Sequence, residues 1–198
     1  MRILLTGFEP FGNYKENSSW AVAEKVAALG FEGVSVTRLP VTFAGVAAAL
    51  RKAVDECRPD AIVMLGQSAG IDYVKLERVA INMMDSASAD NDGYLPDEEP
   101  IYPGGEAALF TNAKIKELCR AVKEQGLPAK VANSAGLYVC NRLYYEALQL
   151  CKKSRGMKAL FVHLPFYDGQ PSALAGKPTM PLDDMVQAVN IIIHKIGQ

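Results

Sequence analysis

A chain of 198 residues, 49% hydrophobic and 22% charged, is long enough for one domain with its own core and too apolar for a disordered segment. Gly and Pro together fill 27 positions, too few for a collagen-like or linker sequence. The formal net charge of −1 offers no electrostatic footprint for nucleic acid or an anionic membrane.

The apolar part of the opening run Met-Arg-Ile-Leu-Leu-Thr-Gly is too short for a signal peptide, and no stretch approaches ~18 uninterrupted apolar residues, so a cytoplasmic protein is expected. In chain order, strands are expected at 2–6, 34–39, 60–65, 129–133 and 157–164. Several are apolar throughout, as parallel strands buried on both faces are. Helical spacing separates them: Val46, Leu50, Ala53, Val54 and Cys57; then Ile115, Leu118, Cys119 and Val122; then Cys140, Leu143, Tyr144, Ala147, Leu148 and Cys151; finally Met185, Val186, Val189, Ile193 and Ile196. Residues 73–82 read as a strand or hairpin arm. Residues 85–105 carry six acidic side chains and no basic one, with Pro and Gly throughout, and read as a long loop. The alternation predicts a single α/β domain over 1–198: an open, mostly parallel twisted sheet with helices on both faces, a three-layer α/β/α architecture.

Ligands of such sheets bind at the carboxyl ends of the strands. The residues just beyond each strand are therefore the ones to examine for a site. Phe8 and Phe11 come after the first strand, Gln67 after the third, and Cys140 after the fourth, beyond a turn at Gly136; His163 ends the last. Cys140 is the one cysteine of four placed at a helix start, where free N–H groups and the helix dipole favour a thiolate. Cys57, Cys119 and Cys151 lie inside or late in helices and read as small core residues. A nucleophilic Cys needs a base within reach, and His163 is placed to supply it. A His in an apolar strand is otherwise most often a hydrogen-bonded core residue. His194, in the last helical turn, reads as a surface side chain. Glu77 shares a face with Val79 and Ile81, so its carboxylate requires a partner: either an ion pair with Lys75 or the imidazole it would orient.

Three further motifs fail their tests. Gly12 precedes Asn13 and Tyr14 rather than Lys and Ser/Thr, so the Gly7–Gly12 run is not a phosphate-binding P-loop. Ser88, Asp90, Asp92, Gly93 and Glu99 imitate calcium-loop spacing, but no helical pattern flanks them. No CxxC pair and two histidines supply poor material for a zinc site, so no metal is expected.

Taken as a series, Gly7-Phe8-Glu9-Pro10-Phe11-Gly12, Asn17-Ser18-Ser19-Trp20, Gly66-Gln67, Glu77-Arg78-Val79-Ala80-Ile81-Asn82, Val139-Cys140-Asn141 and His163-Leu164-Pro165 resemble the pyroglutamyl peptidase family in order and spacing, over nearly the whole chain. The resemblance implies a cysteine peptidase that removes N-terminal pyroglutamate without metal or cofactor. It implies Cys140 as nucleophile, His163 as general acid/base and Glu77 as the orienting carboxylate. It places Phe8, Phe11, Asn17, Gln67, Tyr138 and Val139 at the substrate, with Tyr138 standing where the family usually has Phe. Peptides with N-terminal pyroglutamate would be the partners, and the protein a cytoplasmic homo-oligomer, dimer or tetramer. Two departures stand out: Ile71 and Ala87 occupy positions where the family carries arginine. The readings set against this one are a non-catalytic lactam-binding protein and another α/β hydrolase or phosphorylase-like enzyme on the same sheet. A phosphorylase would need a phosphate site, which the sequence does not offer.

Overall fold

The computed structural model describes residues 1–154, 156–171 and 176–198. Its main sheet has six strands: β1 (Ile3–Phe8), β2 (Val34–Leu39), β3 (Ala61–Gln67), β4 (Val74–Glu77), β7 (Ala129–Ala132) and β8 (Lys158–Leu164), in the order β2-β1-β3-β8-β4-β7. Two small ribbons accompany it: β5 (Val79–Ile81) with β6 (Ala108–Phe110), and β9 (Phe166–Tyr167) with β10 (Thr179–Met180). Five helices cover the sheet: α1 (Ser18–Ala28), α2 (Gly45–Cys57), α3 (Ile115–Glu124), α4 (Val139–Lys153) and α5 (Leu182–Lys195).

Strict alternation along the buried strands sorts the core into two layers. Leu5, Val63, Leu65, Val162 and Leu164 pack with apolar residues of α1, α3 and α5. Leu4, Ile62, Met64, Ala159 and Phe161 pack with those of α2 and α4. Both faces are apolar, which is why these strands read as continuous hydrophobic runs. His163 has the parity of Phe161, so it points to the α2/α4 side. Lys75 and Glu77 have opposite parity to Val74 and Leu76, so they share that side.

The sheet is mostly parallel, with one reversal. β4 pairs antiparallel with β8 and parallel with β7. The cause is the connection: only residues 68–73 join β3 to β4, and a parallel crossover needs about a dozen. The segment 73–82 is also not one strand. It breaks at Arg78, where the chain leaves the main sheet and continues as β5 against β6. The expectation that Cys140 follows a carboxyl strand end at the binding edge is corrected as well. β7 runs opposite to β8, so its carboxyl end points away from that edge. Residues 133–138 bring the chain back before α4 begins.

Helix α1 lacks a strong apolar periodicity because its buried face is narrow and small, with Ser18, Ser19, Val22, Ala23 and Val26. The acidic loop is anchored rather than free. Asp90, only 7% exposed, accepts from the backbone N–H of Phe43 (2.7 Å), Asp92 and Tyr94 (both 2.9 Å). Asn91 donates to Glu9 Oε1 (2.9 Å) and to the Pro10 carbonyl (3.0 Å). Asp90 and Asn91 therefore fold the loop onto the segments after β1 and β2, a use that requires no calcium.

Candidate active site

The strand register brings the reactive side chains together. Across the antiparallel β4–β8 pair, Lys75 faces His163 and Glu77 faces Phe161. Glu77 and His163 are thus diagonal neighbours on one face, within reach of long side chains. His163 Nδ1 lies 2.8 Å from Glu77 Oε1, with Glu77 0% and His163 5% exposed. This contact leaves Nε2 facing away from the carboxylate. Lys75 Nζ reaches the same Oε1 at 3.2 Å, so the ion pair and the imidazole contact expected as alternatives both exist. Tyr144, fully buried in α4, donates to the Glu77 carbonyl at 2.9 Å.

Helix α4 delivers Cys140 to the same face. Its N-cap, Tyr138, makes no side-chain hydrogen bond to the first turn; its carbonyl accepts from Asn141 N (3.0 Å) and Arg142 N (3.2 Å), so no capping side chain occupies the N–H groups of Val139 and Cys140. Buried Asn141 holds this end in place. Its Oδ1 accepts from Ile81 N (2.8 Å), and its Nδ2 donates to the carbonyls of Ile81 (2.8 Å) and Met83 (2.9 Å). Gly66 of β3 lies directly against the sulfur: a Cβ there would sit 3.2 Å from Cys140 Sγ and 2.8 Å from the Phe161 ring.

A cavity of about 150 Å³ opens at this point, lined by Phe8, Phe11, Asn17, Val41, Gln67, Ala135, Tyr138, Val139, Cys140 and His163. Every site residue expected from the sequence lines it except Glu77, which stands behind His163. Val41 and Ala135 were missed, since apolar loop residues carry no sequence signal distinguishing pocket from core. The polar wall is held rigidly. Asn17 caps α1 by accepting from Ser19 N (3.0 Å) and donates to the Glu9 carbonyl (3.0 Å). Gln67 Oε1 accepts from Ser18 N (2.9 Å) and from Nε2 of buried Gln170 (2.8 Å). With its carbonyl oxygen taken twice, Gln67 has its NH2 group left to offer a ligand. Tyr138 donates its hydroxyl to the Ala89 carbonyl (3.0 Å) and rests edge-on against Phe43, tying the acidic loop to the cavity wall.

The electrostatics differ from the sequence expectation. Burial, reinforced by the Glu77 carboxylate, pushes the Cys140 thiol up to about 12; Lys75 and the residue's own N–H oppose this weakly. Burial also lowers His163, against the contact with Glu77. Both directions work against a thiolate–imidazolium pair, whereas the helix start taken alone favours the thiolate. Among the described residues, no group of three His, Cys, Asp or Glu side chains is arranged to hold a metal ion. None of the described helices is long and apolar enough to cross a membrane.

Comparison with known proteins identifies the family. The family model described as pyroglutamyl peptidase matches residues 1–198. The pyrrolidone-carboxylate peptidase of Thermococcus kodakarensis is 40% identical, over 99% of this chain and 96% of its own. That of Clavibacter michiganensis is 37% identical, over 97% and 91%. The crystal structure of pyroglutamyl peptidase I from Bacillus amyloliquefaciens superposes with a TM-score of 0.92 at 32% identity, covering 99% of this chain and 96% of that one. The chain belongs to the pyroglutamyl peptidase family, whose members are cysteine peptidases.

Proposed function

We propose that this chain hydrolyses the amide bond following an N-terminal pyroglutamate, with Cys140 as nucleophile, His163 as general base and then acid, and Glu77 as the orienting carboxylate. The observation that carries the assignment is the buried Glu77–His163 contact of 2.8 Å behind a cavity that also exposes Cys140. Glu77 fixes the ring so that Nε2 is the nitrogen offered to the sulfur. As Sγ bonds to the pyroglutamyl carbonyl carbon, its proton passes to Nε2. The imidazolium then protonates the departing peptide amine, and a water activated by His163 releases the acyl group. In this reading the N–H groups of Val139 and Cys140, which no capping side chain or helix carbonyl takes up, receive the oxyanion; one lost donor in such a hole typically costs ~2.7–4 kcal/mol.

The pocket suits a flat, uncharged lactam. Phe8 and Phe11 supply apolar faces, Tyr138 and Val139 close the side toward α4, and Asn17 and Gln67 supply neutral hydrogen bonds. No charged clamp lines the cavity among the described residues. In the same reading, residues 1–198 are one peptidase domain acting in the cytoplasm as a homo-oligomer, dimer or tetramer.

The test is release of a fluorescent amine from a pyroglutamyl amide under reducing conditions, beside Cys140→Ala. Wild-type turnover that disappears in the folded variant is the expected result. Equal turnover in both removes Cys140 from the mechanism. No turnover in either, with both folded, moves the assignment to the lactam-binding reading.

A further inference from the structure

The sharing of one Glu77 oxygen by two nitrogen bases has a consequence for His163. Lys75 Nζ and His163 Nδ1 both lie on Oε1, at 3.2 and 2.8 Å, while Oε2 has no partner among the described residues. Lys75 is no ordinary surface cation. Its side chain is 20% exposed, and its Cα stands directly opposite that of His163 in the register. A protonated His163 would bring a second positive charge against a single buried carboxylate that Lys75 already neutralises.

We infer that Lys75 is a positioning residue for the reaction proposed above: sharing Glu77 Oε1 with the His163 ring, its ammonium keeps the imidazole uncharged and ready to take the Cys140 proton. The inference rests on that catalytic reading, but its physical core is independent of turnover. The titratable groups around His163 are few. Lys75 and Glu77 face it from β4, and Cys140 from α4. The Tyr144 hydroxyl of α4 is spent on the Glu77 carbonyl, and the β3 neighbour in register is Gly66. Lys75 is thus the cation in this set, and its charge acts to lower His163. It also favours the thiolate form of Cys140. Both effects help the same step, because the base stays free and the developing sulfur anion meets a nearby positive charge.

Removing the charge makes the imidazolium less unfavourable, so His163 must then titrate at higher pH. The chain has only two histidines, so proton NMR of the imidazole C2–H signals follows His163 directly, with His194→Gln for assignment. Lys75→Met keeps the aliphatic stem and removes the charge, whereas Lys75→Arg keeps the charge. We expect His163 to titrate at higher pH in Lys75→Met and near the wild-type position in Lys75→Arg. The acid limb of kcat/KM for a pyroglutamyl amide should move with it. Lys75→Gln, which can still donate to Oε1 without a charge, gives the same expectation if the Met variant does not fold. An unshifted His163 in the uncharged variants overturns the inference. So does an equal shift in Lys75→Arg, which would mean packing rather than charge. The titration needs no turnover, so a wild type inactive on pyroglutamyl amides would refute the catalytic reading without altering how the Lys75 titration is read.

Discussion

Gly66→Ala is the substitution whose consequences the structure defines most closely. The Gly66 backbone is not in the left-handed region, so alanine meets no conformational strain there, and its cost comes from contact alone. The new methyl would lie 2.8 Å from two atoms of the Phe161 ring and 3.2 Å from Cys140 Sγ. Phe161 is 0% exposed and boxed in by Phe8, Tyr144 and His163, with ring centroids 6.5, 5.8 and 4.8 Å away, so it has little room to retreat. Overpacking of this kind costs about 1–3 kcal/mol. For a chain of this size each kcal/mol lowers Tm by about 2–4 °C, so a cost near 2 kcal/mol predicts a fall of about 4–8 °C. Activity should suffer separately, because the ring pushes on His163 while the methyl pushes on the sulfur. A displacement of about 1 Å at a reacting atom can cost ~100-fold, so a shift of a few tenths should lower kcat about tenfold, with KM moving less. Thermal unfolding by circular dichroism and the fluorogenic pyroglutamyl amide assay measure the two effects. A variant that melts within about 1 °C of wild type and keeps its kcat would refute the packing argument.

The buried pair and the enclosed thiol carry two further expectations. Glu77→Gln should lower kcat by up to about 10⁴-fold, the scale seen when an orienting carboxylate is made an amide and the imidazole is held in the wrong tautomer. It also leaves the Lys75 ammonium without its carboxylate, and a loss smaller than tenfold would show that His163 does not depend on Glu77. Because the Cys140 thiol is pushed up to about 12, its alkylation by iodoacetamide in the free protein should keep rising through pH 9 rather than level off near neutrality. A plateau at or below pH 8, mapped to Cys140 by peptide mass spectrometry, would mean that a thiolate is already present at rest.

Much of this protein was legible in its residues, because apolar periodicity is a local property. Runs such as Ala61–Leu65 and Leu160–Val162 have no polar face to turn outward and had to become central strands. Val46, Leu50 and Ala53, and later Leu143, Tyr144 and Ala147, had to become helix faces packed on them. The residues of the cavity could be named as well, since Phe8, Phe11, Gln67, Cys140 and His163 each stand beside a strand end or a glycine turn. Three-dimensional contact decided what periodicity does not encode. The direction of β4 and β7 depends on a connection too short for a crossover, and the split at Arg78 depends on which sheet each half can join. Glu77 meets His163 because the antiparallel register makes them diagonal neighbours, and that register joins residues 86 positions apart. The charge state of Cys140 is the clearest case. A helix start alone favours a thiolate, but burial, reinforced by the Glu77 carboxylate, outweighs it and pushes the thiol up, and only the assembled structure sets that balance. Asp90 and Asn91 show the same division: in the sequence they read as part of an acidic loop, and in the fold they are the ties that hold that loop against the pocket.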